Sequence, residues 1–369
     1  MESIIIIGGG ALGLLTARAL SGERREIRIL ERGEAARESS WAGGGILSPL
    51  YPWRYPEAVN ALAGWSQAAY PALVRELTQA TGIDPELFAC GMLTVAPGEE
   101  AEAGSWAAAH GIPLELVEAG AIAALEPALA EPPGRALWMP GVANIRNPRL
   151  TAALLADVER RGVIFHGHTE VRRLEIHGGR VAAVVTGHGR MEADRVILCA
   201  GAWTAGLLGD LPHRPEIRPV RGQMLLFHAR PGVISRIVLE ESRYAIPRRD
   251  GRVLFGSTIE EAGFDKSTSE TARRELQALA MERFPALADY PVERHWAGLR
   301  PASPAGIPYI GRHPTVENLF VNAGHFRNGI VLGPASARLV ADLVLGREPI
   351  LPPGPYALDA ARPESRPGT

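Results

Sequence analysis

The sequence predicts an α/β fold: a Rossmann-like domain joined to a second, α+β domain built on a mostly antiparallel sheet. Three observations predict it. An apolar run, Ile4 to Ile7, stops at Gly8-Gly9-Gly10-Ala11-Leu12-Gly13, gives way to a helical segment from Leu14 to Leu20, and is followed by a second apolar run, Ile27 to Leu30, closed by Glu31. Several alternating segments crowd between Arg218 and Pro301. A second strand, glycine loop and helix recur near the carboxyl end, from Leu319 to Leu345.

The first feature reads as a buried strand, a glycine turn, a helix, a strand and an acidic cap. Gly8 makes the tight turn, Gly10 lets the backbone approach a pyrophosphate, and Gly13 allows close helix-to-strand packing. The helix N-terminus offers unpaired N–H groups and a partial positive charge to phosphates. Glu31 stands where a carboxylate accepts hydrogen bonds from both hydroxyls of an adenosine ribose, which disfavours a 2′-phosphate. A glycine motif alone says little in a chain with 41 glycines. The strand before it, the helix after it and the acid at the right distance make it a dinucleotide signature.

A second glycine cluster follows, from Arg37 to Leu47, where backbone N–H groups could lie against a flat ligand. The alternative is a surface loop; Trp41 and the Ile46-Leu47 pair argue for packing. Ala58 to Thr81 reads as a helix, with Leu62, Trp65, Ala69, Leu73 and Leu77 near helical spacing. From Leu87 to about Ala143 come short strands, an Ala/Glu-rich helix and turn-forming prolines. Asn147-Pro148 opens a helix from Arg149 to Arg161, and Val163 to Phe165 is a strand. Thr169 to Thr186 alternates like a hairpin around His177-Gly178-Gly179-Arg180, and Arg195 to Cys199 is an apolar strand running into Ala200-Gly201-Ala202-Trp203. Small residues at a strand's carboxyl end suit either a ligand lying across the sheet edge or a tight strand-to-helix turn.

The alternating segments Gln223 to His228, Arg236 to Leu239, Tyr244 to Pro247 and Val253 to Ser257 predict a sheet fit to wall a substrate pocket. A helix from Thr268 to Phe284 interrupts them. Leu319 to Asn322 is a strand, and Ala323-Gly324-His325-Phe326-Arg327-Asn328-Gly329 leads into a helix from about Ile330 to Leu345, aiming a second helix N-terminus at something electron-rich. The proline-rich tail is expected to fray beyond Arg362.

Length and composition narrow the function. A chain of 369 residues is expected to form two domains, and 46% hydrophobic with 22% charged residues is ordinary for a soluble globular enzyme. A net charge of -2 with no basic block gives no footprint for nucleic acid. No apolar run approaches the roughly 20 residues that span a bilayer, so no membrane insertion is expected. The first strand is expected to begin at once, so no secretory signal is expected. Cys90 and Cys199 are isolated, which fits a reducing cytoplasm. His166 and His168 form an HxH, but without neighbouring Cys or carboxylate ligands they read as ordinary histidines, and no metal is expected.

With these residues in view, the chain resembles the FAD-dependent amine and amino-acid oxidases, the D-amino-acid oxidase and sarcosine oxidase group. The resemblance covers almost the whole length except the tail. It rests on Trp296-Ala297-Gly298-Leu299-Arg300-Pro301, Pro308-Tyr309-Ile310-Gly311-Arg312-His313-Pro314, Gly324-His325-Phe326-Arg327-Asn328-Gly329-Ile330 and Tyr244-Ala245-Ile246-Pro247-Arg248.

What the resemblance implies is specific. The first domain becomes an FAD-binding domain of the glutathione-reductase type, assembled from 1–84, 144–214 and 298–362. Residues 85–143 and 215–297 form the substrate domain, and 363–369 the tail. FAD lies extended, with Gly8, Gly10, Ala11, Leu12 and Gly13 at the pyrophosphate and Glu31 with Arg32 at the adenosine. Val171 contributes backbone contacts to the adenine, and Gly201 belongs to the same cofactor edge. Ser39, Ser40, Gly44, Gly45 and Ile46 run along the ribityl chain and flavin. His325, Phe326, Arg327, Asn328, Gly329, Ile330 and Val331 set the second helix N-terminus against the pyrimidine edge, where it stabilises a reduced, negatively charged flavin. Neither cysteine falls between Trp296 and Gly311, where some members attach flavin covalently, so the FAD is expected to be non-covalent.

For the substrate, the resemblance puts Arg300 and Tyr244 on a carboxylate, with Arg327 nearby or bracing the flavin loop. The residue types agree, since a guanidinium grips a carboxylate with two parallel hydrogen bonds and a phenol supplies a third. The implied reaction is oxidative deamination of glycine and small amines or D-amino acids (sarcosine, D-alanine, D-proline), with hydride transfer to the flavin and no general base at carbon. Dioxygen is the implied acceptor, hydrogen peroxide the by-product, a homo-oligomer the implied assembly, and supply of the thiamine thiazole ring the implied role. Ser242, Ile46 and Ile259 differ from what some members carry near the pocket, which leaves the choice among these substrates open. Two rival readings stand beside it: a D-amino-acid dehydrogenase passing electrons to a quinone, and a flavin-binding module without turnover.

Overall fold

The computed structural model describes residues 1–22, 24–95 and 98–363. Its first sheet has six strands, in the order Tyr309–Arg312, Leu319–Ala323, Arg195–Leu198, Glu2–Ile7, Arg25–Leu30, Ile164–His166. All neighbours are parallel except the Tyr309–Arg312 edge, which runs antiparallel. The central strand shows why its run is continuously apolar. Ile4 and Ile6 turn into a helical layer with Leu14, Leu62, Leu154 and Leu339, while Ile5 and Ile7 turn the other way onto Val171, Val181 and Val184. A strand covered on both faces needs apolar residues at every position.

The helical layer comprises Ala11–Leu20, Glu57–Thr81, Asn147–Arg160 and Gly329–Leu345. The opposite face carries a three-stranded sheet, Val171–His177, Arg180–Thr186 and Gly189–Met191. In the long helix Glu57–Thr81 the buried stripe differs from the expected one. Val59, Leu62, Ala63, Ser66, Tyr70, Leu73 and Leu77 face inward, whereas Trp65 and Ala69 are only half-buried. The polar Ser66 hid the true stripe, and its hydroxyl proves to be occupied.

The second sheet has eight strands, ordered Val292–Ala302, Arg218–Phe227, Val253–Gly256, Arg243–Pro247, Ile237–Glu240, Met92–Val95, Arg135–Met139, Glu115–Glu118. It is antiparallel except where Ile237–Glu240 meets Met92–Val95. Strand alternation divides its residues. Leu225, Phe227, Ala245 and Phe255 pack under the helix Glu270–Arg283 through Leu276 and Ala280. Met224, Ile246 and Leu254 form the other face, with Tyr51 and Trp53. Among the elements absent from the sequence reading are the strand Val292–Ala302, the short strand Tyr309–Arg312 and the one-turn helix Ser39–Ala42. The first is an edge strand whose sequence, Val-Glu-Arg-His-Trp-Ala-Gly-Leu-Arg-Pro-Ala, has no clean alternation. Its place is set by pairing with Arg218–Phe227. Residues 364–369 of the expected tail lie outside the described residues. No described helix is long and apolar enough to cross a membrane.

Candidate active site

A cavity of about 430 Å³ opens where the carboxyl ends of the parallel strands meet the inner face of the eight-stranded sheet. Three glycine-rich segments converge on it. In the first, Gly8 turns with φ of 109°, and a Cβ on Gly13 would stand 1.9 Å from the Gly8 carbonyl oxygen. Only hydrogen fits there, so helix and strand approach closely enough to aim the helix start, with Gly10 as its N-cap, at the cavity. Glu31 is nearly buried at the end of the second strand and accepts from the backbone N–H of Gly9 at 2.7 Å and of Gly33 at 3.0 Å. A carboxylate has about four acceptor positions, so two such bonds leave room for hydroxyl donors. Arg32 beside it stacks 3.5 Å over the ring of Trp203 and pairs with Glu38 at 2.6 Å.

The second segment is shaped by its carbonyls. The Gly43 carbonyl accepts from Asn147 Nδ2 at 3.0 Å, that of Gly44 from Arg248 at 2.8 Å, and that of Gly45 from the Ile145 N–H at 2.9 Å. In a planar trans peptide the N–H points opposite the carbonyl. The N–H groups of Gly44, Gly45 and Ile46 therefore turn away from this backing and toward the cavity that these residues line.

The third segment enters the helix Gly329–Leu345, anchored by the Phe326 N–H donating to the Pro301 carbonyl at 2.9 Å. His325 is buried, its Nε2 3.0 Å from the Ser336 hydroxyl, and burial pulls its ring down to about 3, so it is neutral at ordinary pH. Gly329 begins the helix at the cavity wall and leaves unpaired N–H groups there.

On the opposite wall, Arg300 rises from the edge strand. Its Nη1 donates to the carbonyls of Arg221 at 3.3 Å and Thr258 at 3.2 Å, and its Nη2 to Ser257 Oγ at 2.5 Å. Three of the five guanidinium donors are thus spent, and Nε–H with one Nη2–H remain. The group lies against Gly222, where a Cβ would come within 2.2 Å of both terminal nitrogens. Burial, aided by the charge of Arg327, pulls the Arg300 guanidinium below its ordinary range. A cation so placed gains from an anionic ligand. The Tyr244 hydroxyl stands 3.1 Å from the same Ser257 oxygen.

A protein-family model described as FAD dependent oxidoreductase matches residues 3–343. The chain belongs to the FAD-dependent oxidoreductase family. The oxidoreductase is 49% identical, over 96% of its length and 98% of the relative's, to a protein named glycine oxidase from Pseudomonas aeruginosa. It is 32% identical to the bifunctional protein ThiO/ThiG of Trichormus variabilis, covering 93% of this chain and 53% of that one. Among solved structures, the glycine oxidase from Geobacillus kaustophilus superposes with a TM-score of 0.92 at 29% identity, covering 97% of this chain and 99% of that one.

The residues present fit the flavin nucleotide. The glycine turn admits no side chain, a nearly buried carboxylate lies beside it, and a row of N–H groups and a helix start follow along one continuous cavity. Of the residues singled out in the sequence, Gly8, Gly10, Leu12, Glu31, Arg32, Ser39, Ser40, Gly44, Gly45, Ile46, Val171, Gly201, Tyr244, Arg300 and His325 to Ile330 all line this cavity. Ala11, Gly13 and Val331 do not. The Ala11 N–H is taken by Ser40 Oγ at 2.8 Å, Gly13 packs on Gly8, and Val331 is buried in the helical core. Ser39 donates its hydroxyl to the Leu299 carbonyl. Arg327 lines the cavity, its guanidinium carbon 5.2 Å from the Phe326 ring. Cys199 lines the glycine-turn end with its thiol against Thr16, pushed up to about 12 by burial. No metal-ligating cluster forms among the described residues.

The sequence reading missed Gly222, Ser257, Trp203 and the structural task of Arg248. Arg248 sat inside a motif already quoted, and its apolar flank was a signal. Gly222 and Ser257 carried none, because their parts come from strand pairing.

Proposed function

We propose that this chain is an FAD-dependent glycine oxidase, acting on glycine and on sarcosine, D-alanine and D-proline. Overall, glycine, dioxygen and water yield glyoxylate, ammonia and hydrogen peroxide. The reading is carried by Arg300: a desolvated guanidinium that, among the described residues, has no carboxylate bonded to it and two donors left over, in the wall of the flavin cavity. Relatives named glycine oxidase over nearly the full length support it.

FAD, when bound, supplies the acceptor for the two electrons that leave Cα as hydride. Glu31, the Gly8 turn, the Gly44 to Ile46 N–H row and the Gly329 helix start would hold it without a covalent bond. The chain's own residues align the substrate. Arg300 takes the carboxylate through two parallel hydrogen bonds and Tyr244 adds a third, which fixes the direction of the Cα–H bond. The neutral amine's lone pair forms the imine as hydride departs, so no side chain needs to remove a proton from carbon. His325, neutral and occupied by Ser336, takes no part in proton transfer. Met224, Leu50 and Ile46 keep bulk water from the reacting carbon. We place the enzyme in the cytoplasm as a homo-oligomer, supplying the glycine-derived imine for the thiazole ring of thiamine, in keeping with relatives named ThiO/ThiG.

The test is peroxide release by the purified holoenzyme with glycine. One peroxide per glyoxylate is expected, and turnover with a quinone but without peroxide would favour the dehydrogenase. Anaerobically, glycine bleaches the flavin of the native protein and not that of Arg300→Ala, which still holds FAD. Normal bleaching in that variant would overturn the clamp.

A further inference from the structure

Two separate segments make the seat of Arg300. Its Nη1 rests on the carbonyls of Arg221, in the strand Arg218–Phe227, and of Thr258, just beyond the strand Val253–Gly256. One side chain ties those two residues together. Glu260 Oε2 accepts from Arg221 Nε at 3.1 Å and Nη2 at 2.6 Å. Its Oε1 accepts from the Thr258 hydroxyl and from Gln223 Nε2 at 2.9 Å. The backbone repeats the link: the Arg221 N–H donates to the Glu260 carbonyl at 2.9 Å, and the Glu260 N–H to the Arg221 carbonyl at 3.0 Å. Asp265 takes Nη1 of Arg221 at 2.5 Å, yet among the described residues only Glu260 holds the side chains of both Arg221 and Thr258. Burial would raise the Glu260 carboxyl, but the Thr258, Gln223 and Arg221 donors hold it below the usual carboxylate range. Glu260 does not line the cavity, so whatever it does for a ligand there it does through Arg300.

We propose that Glu260 is a positioning residue for the reaction: by joining Arg221 to Thr258, its carboxylate fixes the two carbonyls that carry Arg300 Nη1 and so sets where the substrate carboxylate is held. This rests on the glycine-oxidation reading, in which Arg300 takes that carboxylate. The arrangement needs a group that accepts at both ends, which an ionised carboxylate does and an amide does not. In Glu260→Gln the volume is kept, but the amide oxygen can serve only one side, and its NH2 then faces donors on the other.

Acetate, a carboxylate with no amine to oxidise, is titrated against the flavin absorbance of the holoenzyme. In Glu260→Gln its binding weakens about ten-fold, the worth of one hydrogen bond to a charged group. KM for glycine rises by the same factor while kcat holds, because the carboxylate is gripped alike before and during hydride transfer. FAD affinity stays native. Glu261→Ala, which removes the neighbouring surface pair with Arg218, leaves acetate binding and KM unchanged. Native acetate affinity in Glu260→Gln would overturn the assignment, and so would an equal loss in Glu261→Ala, the mark of a loosened loop. Arg300→Lys tests the route and separates the two levels. In that background Glu260→Gln should lower kcat/KM no further, and additive losses would show that Glu260 acts elsewhere. If Arg300→Lys lowers kcat/KM while Glu260→Gln does not, the part of Glu260 alone fails; if Arg300→Lys is itself native, the carboxylate clamp fails with it.

Discussion

The Tyr70 hydroxyl donates to the backbone carbonyl of Ile330 at 2.5 Å. That carbonyl lies in the first turn of the flavin-facing helix, where its helical partner would be the N–H of residue 334, which is proline and has none. One turn earlier on the same long helix, Ser66 Oγ accepts from the Ala335 N–H at 2.9 Å. Two side chains of one helix thus grip the other on either side of Pro334, and Tyr70 takes the carbonyl that the proline leaves without its helical donor. Tyr70 is 1% exposed, so Tyr70→Phe buries an unpaired carbonyl and is expected to cost about 1–3 kcal/mol. Denaturant unfolding reads the loss, and FAD should dissociate more readily from the variant. Unchanged stability would mean that water or a shifted helix takes the phenol's place.

His325 ties the same loop to pH. Burial holds its ring at about 3, against about 6.5 in an unfolded chain. Between those values the unfolded chain binds a proton that the folded one refuses, so stability falls as pH drops through that window. At pH 5 the loss from this one group is about 2 kcal/mol relative to pH 7. In His325→Gln the difference between unfolding midpoints at pH 7 and pH 5 should shrink by that amount. An unaltered difference would show that the imidazole is charged or solvated in the fold.

Gly222 is the floor on which Arg300 rests. A Cβ there would lie 2.2 Å from Nη1 and Nη2, with flanking backbone held in the sheet. Gly222→Ala must therefore displace the guanidinium and not the strand. Misplacing a binding group by about 1 Å is enough to cost on the order of 100-fold in rate. The expected result is that large a fall in kcat/KM for glycine, with the flavin spectrum and FAD content unchanged. Steady-state peroxide kinetics decide it, and a loss of FAD would place the damage elsewhere.

The residues legible in the sequence are those whose task is local. Gly8 and Gly13 meet because a turn and the helix after it bring them together, and Glu31 caps the next strand, so spacing alone locates all three. Gly222 and Ser257 act on Arg300 across two strand pairings, and nothing in their neighbours along the chain announces it. The edge strand that carries Arg300 was itself unread, since its register against Arg218–Phe227, not its own pattern, makes it a strand. Tyr70 and Ser66 escaped for a related reason: their partners lie in a distant helix, and a proline there frees the carbonyl that Tyr70 takes.

Arg248 shows what a distant side chain does for the flavin wall. It is buried and donates to Asn144 Oδ1 at 2.6 Å, the Ile145 carbonyl at 2.9 Å and the Gly44 carbonyl at 2.8 Å. Burial, with the nearby charge of Arg146, pulls it down to about 10. A cation held by neutral oxygens is a costly fixture, and here it turns the Gly44 carbonyl away from the cavity and its partner N–H inward. Arg248→Met removes the donors, leaves those oxygens buried and unpaired, and is expected to destabilise the fold by about 3 kcal/mol or more. With the N–H row released, FAD binding to the apoprotein should weaken at least about ten-fold by flavin fluorescence titration, the equivalent of one good hydrogen bond. Arg248→Lys keeps the charge without the planar fork and should fall between the two. Native FAD affinity in Arg248→Met would show that the glycine segment keeps its shape unaided.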